Sequence, residues 1–136
     1  MWADLDPTTA YEILRLRSEV FVVEQDCVFL DIDGRDLEPT CRQLWLTDDG
    51  GHVVAVARIL EEGDHREIGR IVTAPAARGR GLAGDLIRHA VASSAGPWTM
   101  KAQSRLVDYY ATFGFVPDGD EFDEDGILHT PLRRPL

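Results

Sequence analysis

Hydrophobic side chains near the start of the chain recur at helical spacing. The run Asp6-Pro7-Thr8-Thr9 has the pattern of a helix start, with an Asp or Thr cap and a proline at an early helical position. After it, the residues that repeat on one helical face are Ile13, Leu14, Leu16, Arg17, Val20 and Phe21. The pattern predicts a first helix that runs to about Val23.

A loop and three strands are predicted next. Residues 27–39 combine Asp-Gly and Glu-Pro with little periodicity, which is typical of a loop. The runs Gln43–Thr47 and His52–Leu60 read as strands and flank the turn Asp48-Asp49-Gly50-Gly51, so they predict a hairpin. After a further turn, a third strand is predicted over Glu67–Thr73.

The second half of the chain alternates helices and strands. In order, the predicted elements are a helix over Leu82–Ala92 ended by Gly96-Pro97, a strand over Trp98–Gln103, a short helix over Arg105–Phe113 closed by Gly114, and a strand pair, Phe115-Val116 with Ile127–Thr130, around an acidic turn. The sequence therefore predicts a mixed α/β domain: a hairpin meander, then strand-helix-strand-helix-strand.

The composition indicates one globular domain. The chain has 136 residues, 44% of them hydrophobic, which suffices for one core but leaves no room for a second domain. No apolar run reaches the ~18 residues needed to span a bilayer, and the acidic start, residues 1–6, lacks the pattern of a signal peptide. We therefore expect a single domain over residues 1–136, in the cytoplasm and without membrane contact.

The cysteines and histidines predict no metal site. No histidine stands at metal-ligand spacing from another histidine or a cysteine, and Cys27 and Cys41 lie outside any C-x-x-C spacing. Because no signal peptide is present, we expect two reduced thiols; the alternative is one disulfide between them.

Charge is unevenly distributed along the chain. The net charge of −10 opposes nucleic-acid binding. Five arginines nevertheless gather within residues 66–88, and six carboxylates gather within residues 118–125. A basic patch on an acidic chain indicates a small anionic ligand. The acidic remainder favours a cationic second substrate, unless it serves only solubility.

The most informative stretch is residues 67–87, EIGRIVTAPAARGRGLAGDLI. A predicted strand leads to a loop in which Gly79 and Gly81 allow close backbone approach, and the loop opens into a helix whose first N–H groups can bind an anion. Arg78 and Arg80 add charge that suits a pyrophosphate. The stretch matches neither G-x-x-x-x-G-K-[ST] nor G-x-G-x-x-G. The alternative interpretation is a tight turn with solvated arginines.

Arg78, Gly81 and Ala83 match R-x-x-G-x-A, and in this the chain resembles the coenzyme A loop of GNAT acetyltransferases. Gln103, Tyr110 and Gly114-Phe115 stand where that family has a strand end, a tyrosine and a Gly-Phe pair. Three further runs resemble its ElaA-like branch: LRSEVFVVEQ over 16–25, DIDGRD over 31–36 and DGILH over 125–129. The resemblance covers essentially the whole chain. One departure is the start, where only Met1–Leu5 precede the first helix and the family's first strand is expected to be short or missing.

The resemblance implies an α/β (α+β) GNAT fold, a central mixed and splayed β-sheet flanked by helices. It also implies direct transfer of the acetyl group of acetyl-CoA to a primary amine of a small molecule or protein. Backbone groups of Ile71, Val72 and Thr73 are expected to pair with the pantetheine arm, and an amide near Val72 to polarise the thioester carbonyl. The residues expected to hold the pyrophosphate are Arg78, Gly79, Arg80, Gly81, Leu82 and Ala83.

Tyr110 is the predicted general acid, because the resemblance gives it that place and a phenol donates a proton without carrying charge. The alternative is that it only packs near the cofactor sulfur, and its neighbour Tyr109 is expected to point elsewhere. Glu67 is the predicted base, with His129 as another candidate.

Arg17, Glu24 and His129 are predicted to contact the acceptor, and Asp33 and Asp36 to shape its pocket. Glu67 and Glu24 could equally be ordinary surface glutamates, and the two aspartates could satisfy loop amides. The acidic run Asp118–Asp125 lacks the pattern of a calcium loop and reads as a solvated turn.

Two functions stay open from the sequence alone. The first is an N-acetyltransferase that uses acetyl-CoA and an amine, without a metal. The second is a sensor that holds acyl-CoA on the same fold without turnover. An exposed edge near the last strands would permit a homodimer.

Overall fold

The computed structural model describes residues 1–26 and 29–135, and its first helix begins and extends as predicted. Helix α1 spans Pro7–Arg17, and the Asp6 carboxylate accepts hydrogen bonds from the amides of Thr8 and Thr9 at 3.1 and 3.3 Å. The helix continues as a π-helical segment, Ser18–Glu24. Before α1, Trp2–Asp4 forms a 3₁₀ turn where the family's first strand would lie.

The other predicted elements are also found, with shifted ends. The strands are β1 Arg42–Thr47, β2 Val53–Glu61, β3 Arg66–Thr73, β4 Trp98–Gln103, β5 Val116–Pro117, β6 Phe122–Glu124 and β7 Ile127–Arg134. The later helices are α2 Leu82–Ser93 and α3 Val107–Ala111, with 3₁₀ turns at Arg35–Leu37, Pro75–Ala77 and Ser104–Leu106.

The acidic stretch before β7 was predicted as a turn, and this is wrong for part of it. Strand β6 lies within that stretch and pairs with β7, with Phe122 opposite His129. The two rings stack with their centroids 5.7 Å apart. Cross-strand pairing therefore outweighs the high local charge.

The strands form one mixed sheet in the order β1-β2-β3-β4-β7-β5, with β6 also on β7. Neighbouring strands are antiparallel except β3 and β4, which run parallel. These two strands pair at only two positions, Arg66 with Trp98 and Glu67 with Thr99. Beyond them the strands separate, so the sheet is splayed, as the resemblance implied.

Helices cover both faces of the sheet. Residues of α1 pack on one face in a smaller cluster, which comprises Ile13, Leu16, Val20, Val53, Val56 and Val72. On the other face, α2 and α3 cover a larger cluster that includes Ile59, Ile68, Ile87, Trp98, Tyr110 and Phe115. The result is a three-layer α/β arrangement whose sheet opens between its two central strands.

Three sequence expectations concern groups outside this core. Cys41 is a buried free thiol whose pKa is raised by burial and by nearby Asp36; Cys27 lies outside the described residues. No helix within residues 1–26 and 29–135 has both the length and the apolar character needed to cross a bilayer. The same residues contain no cluster of three or more His, Cys, Asp or Glu side chains placed to hold a metal ion.

Candidate active site

A cleft of about 1080 Å³ opens where β3 and β4 separate. Its walls come from these two strands, part of β2, the end of the first helix, the loop over residues 29–35, the loop before α2, α3 and the β6–β7 hairpin. Predicted site residues in the walls are Ile71, Val72, Thr73, Arg78, Gly79, Ala83, Tyr110, Glu67, Glu24 and His129. Strand separation thus brings together residues from all parts of the chain.

Strand β3 carries a β-bulge beside the cleft. Its register on β2 shifts between the pairs Val56–Val72 and Arg58–Gly69, so that one residue of β2 faces two of β3. In a regular strand, side chains four residues apart lie on the same face of the sheet. Here Ile68 belongs to the larger cluster and Val72 to the smaller cluster on the opposite face, so the bulge reverses the faces.

The register also decides which β3 amides face the cleft. The Ala74 amide donates to the Val54 carbonyl at 2.8 Å, and bonded pairs alternate along an antiparallel ladder. Val72 therefore directs its amide towards β2, while the amides of Ile71 and Thr73 point to the side where β4 has separated. Among the amides near Val72, those of Ile71 and Thr73 are therefore the ones that face the cleft.

The loop before α2 presents backbone groups at the cleft mouth. Gly79 and Gly81 have φ of 83° and 73°, a left-handed conformation that glycine adopts readily. Gly81 is the N-cap of α2, and no side chain caps the helix there. A Cβ atom at Gly79 or Gly81 would meet no atom within 4 Å. The first amides of α2 consequently remain available to an anion.

Three residues of the predicted phosphate loop, Arg80, Gly81 and Leu82, do not line the cleft. Arg80 is exposed, and Leu82 packs against the larger cluster. Arg78 donates to the Glu24 carboxylate at 2.6 Å and to the Thr73 carbonyl at 3.3 Å. The ion pair between Arg78 and Glu24 therefore joins the loop before α2 to the end of the first helix.

The expected basic patch does not form. Arg66 pairs with Glu61, Arg70 with Asp31, Arg78 with Glu24 and Arg88 with Asp85, at 2.6 to 2.8 Å. The arginines are close together in the sequence, but they lie on different elements and four of the five pair with separate carboxylates. They therefore do not form one basic surface.

Tyr110 lies deep in the cleft wall and is 9% exposed. Burial, followed by the neighbouring Tyr109, raises its pKa to about 12. The phenol therefore stays protonated at neutral pH and can act as a proton donor. Tyr109 also lines the cleft, with its ring centroid 5.2 Å from that of Tyr110. The expectation that Tyr109 points elsewhere is wrong.

Glu67 stands at the point where the strands separate, in the last parallel pair with Thr99. Its half-buried side chain lines the cleft and has no hydrogen bond or ion pair within the described part of the chain. A carboxylate in this state is free to accept a proton or a cationic group.

His129 offers a second basic group. Its Nδ1 lies 2.8 Å from the Ile127 carbonyl, which can only accept, so Nδ1 carries the hydrogen. In the neutral ring, Nε2 then holds a lone pair, with the nearest Glu124 oxygen 3.9 Å away. Glu67 and His129 therefore both meet the chemical requirement for a base.

Arg17 was predicted to contact the acceptor, and its placement excludes this. The side chain is completely buried and donates to both Asp31 and Asp36, with the closest contact at 2.7 Å to Asp36. The ionic network continues through Arg58, which donates to Asp33 at 2.8 and 3.0 Å. Arg17 lies beneath the cleft and supports the loop that forms its wall.

The network holds Asp33 and Asp36 in the charged form. Burial opposes ionisation of Asp33, but hydrogen bonds from Arg58 and from the Arg35 amide outweigh it and lower its pKa to about 2. At Asp36, burial is likewise outweighed by Arg17 and Arg58, and the pKa is lowered. Neither aspartate is predicted from the sequence to pair with an arginine, although D-x-D-x-x-D over residues 31–36 could have indicated basic partners.

Replacement of Arg17 by methionine is expected to lower the free energy of unfolding by about 3–5 kcal/mol, because Asp31 and Asp36 lose a buried partner. Arg15→Met, on the same helix, is the control. Arg15 is half exposed and pairs with Glu19 on the surface, so its loss should cost less than about 1 kcal/mol. Urea unfolding of both variants measures the difference; equal costs would contradict a structural role for Arg17.

Comparison with known proteins identifies relatives along nearly the whole chain. The family model described as an acetyltransferase (GNAT) domain matches residues 35–136. A UPF0039 protein of Mycobacterium tuberculosis is 45% identical over 141 residues, covering 99% of this chain and 90% of the relative. Protein ElaA of Escherichia coli is 37% identical over 144 residues, covering 98% and 92%.

Solved structures show the same architecture. The crystal structure of Escherichia coli ElaA superposes with a TM-score of 0.91 and 33% identity, covering 98% of this chain and 94% of the other. An acyl-CoA N-acyltransferase from Pseudomonas aeruginosa gives a TM-score of 0.91 at 35% identity, with the same coverage. The overall fold is therefore shared between these proteins and the chain.

Proposed function

The chain belongs to the GNAT acetyltransferase family, in its ElaA-like branch, and is an acyltransferase; from this premise we propose that it moves the acetyl group of acetyl-CoA directly to a primary amine. The acceptor is a small molecule or a protein amine, and residues 1–136 act as one catalytic domain. No covalent enzyme intermediate is required.

One observation carries the proposal: the open edge of β3 and the glycine loop before α2 share one cleft. An extended pantetheine arm can pair with an unpartnered strand edge, here through Ile71 and Thr73, as an added strand would. The same arm leads a pyrophosphate to the first turn of α2, where Gly79 to Ala83 would hold it. A free anion or a sugar would use only one of these two features.

Cofactor binding also changes the contacts of the acceptor side. Arg78 now bonds to Glu24 at 2.6 Å, with both side chains partly exposed. A pyrophosphate competes for the same guanidinium, because it offers stronger bidentate acceptors. Glu24, which lines the cleft, would then be free to attract an ammonium group.

The proposed chemistry assigns a role to each remaining group. The amine nitrogen attacks the thioester carbon while the Ile71 amide stabilises the developing oxyanion. As the C–S bond breaks, Tyr110 donates its proton to the departing sulfur, and the attacking nitrogen releases its surplus proton to solvent, which reprotonates the phenolate. The ammonium of the acceptor first loses its proton to Glu67 or His129, directly or through water.

Calorimetric titration with acetyl-CoA, CoA and ATP tests the cofactor, and thiol release with a panel of amines tests turnover. We expect both CoA species to bind with a Kd of about 1 µM to 1 mM and ATP to bind much more weakly. CoA binding without turnover for any amine would favour the sensor function. Absence of CoA binding would refute the proposal.

A further inference from the structure

Arg70 occupies a backbone conformation that is unusual for its residue type. Its φ is +47°, in the left-handed region, at the bulge in β3. Such φ values are uncommon for residues other than glycine, asparagine and aspartate. The other non-glycine residues with positive φ in the described part of the chain, Asp26 and Asp125, lie in turns, whereas Arg70 lies within a strand.

The side chain of Arg70 is held from one direction, by the loop that follows the first helix. Its Nε lies 2.7 Å from the Asp31 carboxylate, and Nη2 donates to the Asp31 carbonyl at 3.2 Å. Nη2 also lies 3.4 Å from Asp33, and the guanidinium lies 5.5 Å from the centre of the Phe29 ring. Asp31 and Asp33 are in turn fixed by Arg17 and Arg58.

The bulge at Arg70 determines where the next amide points. A regular strand would pair β3 with β2 in one continuous register. The extra residue shifts that register between Gly69 and Val72. Ile71, immediately after Arg70, thereby directs its amide into the cleft. Arg70 thus holds at the bulge a left-handed conformation that glycine adopts most readily.

We propose that Arg70 is a positioning residue: its ion pairs with Asp31 and Asp33 hold the left-handed bulge that aims the Ile71 amide at the thioester carbonyl. The ion pairs offset the strain of a left-handed conformation that glycine would adopt without strain. The buried ionic network beneath the cleft thus serves the reacting carbonyl as well as the stability of the loop. The inference rests on the proposed function, because the carbonyl belongs to acetyl-CoA.

The experiment uses the full chain with acetyl-CoA labelled with ¹³C at the carbonyl, and needs no acceptor. A hydrogen bond to the carbonyl moves its ¹³C resonance downfield. Arg70→Ala removes the ion pairs with Asp31 and Asp33, here called the clamp, and also disfavours the left-handed conformation. Arg70→Gly and Arg70→Asn remove the same ion pairs but still adopt the left-handed conformation readily. CoA affinity and the unfolding midpoint are measured for each variant.

We expect wild-type protein to shift the carbonyl resonance downfield. Arg70→Ala should lose more than half of the shift while its CoA affinity stays within about threefold, because CoA lacks the carbonyl. Arg70→Gly and Arg70→Asn should keep more than half of it. If Arg70→Ala no longer binds CoA, Asp33→Asn replaces it, and a reduced shift is expected because the clamp is weakened.

Two results would overturn the inference while leaving the proposed function intact: a wild-type shift in both Arg70→Ala and Asp33→Asn, or an equal loss in the alanine, glycine and asparagine variants. The latter would show that the ion pairs do not act by offsetting the strain of the left-handed backbone, because glycine and asparagine relieve that strain. Failure of the wild-type protein to bind acetyl-CoA would instead remove the proposed function, and this inference with it.

Discussion

Gly81→Glu is expected to weaken coenzyme A binding by at least about 100-fold, which corresponds to about 3 kcal/mol. Gly81 is the N-cap of α2 and has φ of 73°, so a side chain there is strained as well as misplaced. The new carboxylate would stand beside the first amides of the helix, where the pyrophosphate needs room and positive potential. Calorimetry with CoA measures the loss.

Gly63→Glu is the matched control. Gly63 lies in the turn between β2 and β3, has φ of 82°, and a Cβ there meets nothing within 4 Å, as at Gly81. The two variants therefore introduce the same charge and similar strain, but Gly81 lies between the cleft-lining residues Gly79 and Ala83, whereas Gly63 lies in a turn away from the cleft. Similar CoA affinities in the two variants would show that the loop before α2 does not hold the pyrophosphate.

Tyr110→Phe is expected to lower the turnover number about 100-fold or more, while the affinity for acetyl-CoA changes by less than about threefold. The phenol is buried in the cleft wall, and its raised pKa of about 12 keeps the proton available. Phenylalanine keeps the ring packing and removes only the proton donor. Because the folded-state pKa is raised, loss of this proton should not reduce the rate below about pH 11.

The control for Tyr110 is Tyr11→Phe, on α1, because Tyr11 is 70% exposed and lies outside the cleft wall. It should leave turnover unchanged. Tyr109→Phe is the stricter comparison, since Tyr109 also lines the cleft; we expect a much smaller effect than at Tyr110. Equal losses at Tyr109 and Tyr110 would refute the assignment of Tyr110 as the acid.

The order of helices and strands could be predicted from the sequence, because the spacing of hydrophobic and polar residues within each element shows which of its faces is buried. Asp6 and Pro7 start the first helix as predicted, and the hairpin turn at residues 48–51 separates β1 from β2. The R-x-x-G-x-A run predicted a loop that opens into a helix, and Gly81 does cap α2. These features depend on residues a few positions apart.

The predictions that failed concern contacts between distant segments. Arg17 reads as one polar residue on a helix, yet it is buried because Asp31 and Asp36 approach it from a loop. Strand β6 forms within an acidic run because β7 lies beside it. Nothing near Tyr109 in the sequence indicates that it shares the cleft with Tyr110.

The sequence by itself determined the fold class, the element order, the glycine loop and the candidate acid. These follow from hydrophobic patterns and family motifs, which consist of residues close together in the sequence. Only the tertiary structure decided where β3 and β4 separate, how Arg70 bends β3, and which arginines are neutralised. These depend on contacts such as Arg78 with Glu24, 54 residues apart, and Arg70 with Asp31, 39 residues apart. The energy of a buried charge or a strained residue is set by all the groups that surround it in space, and chain neighbours supply only a few of them.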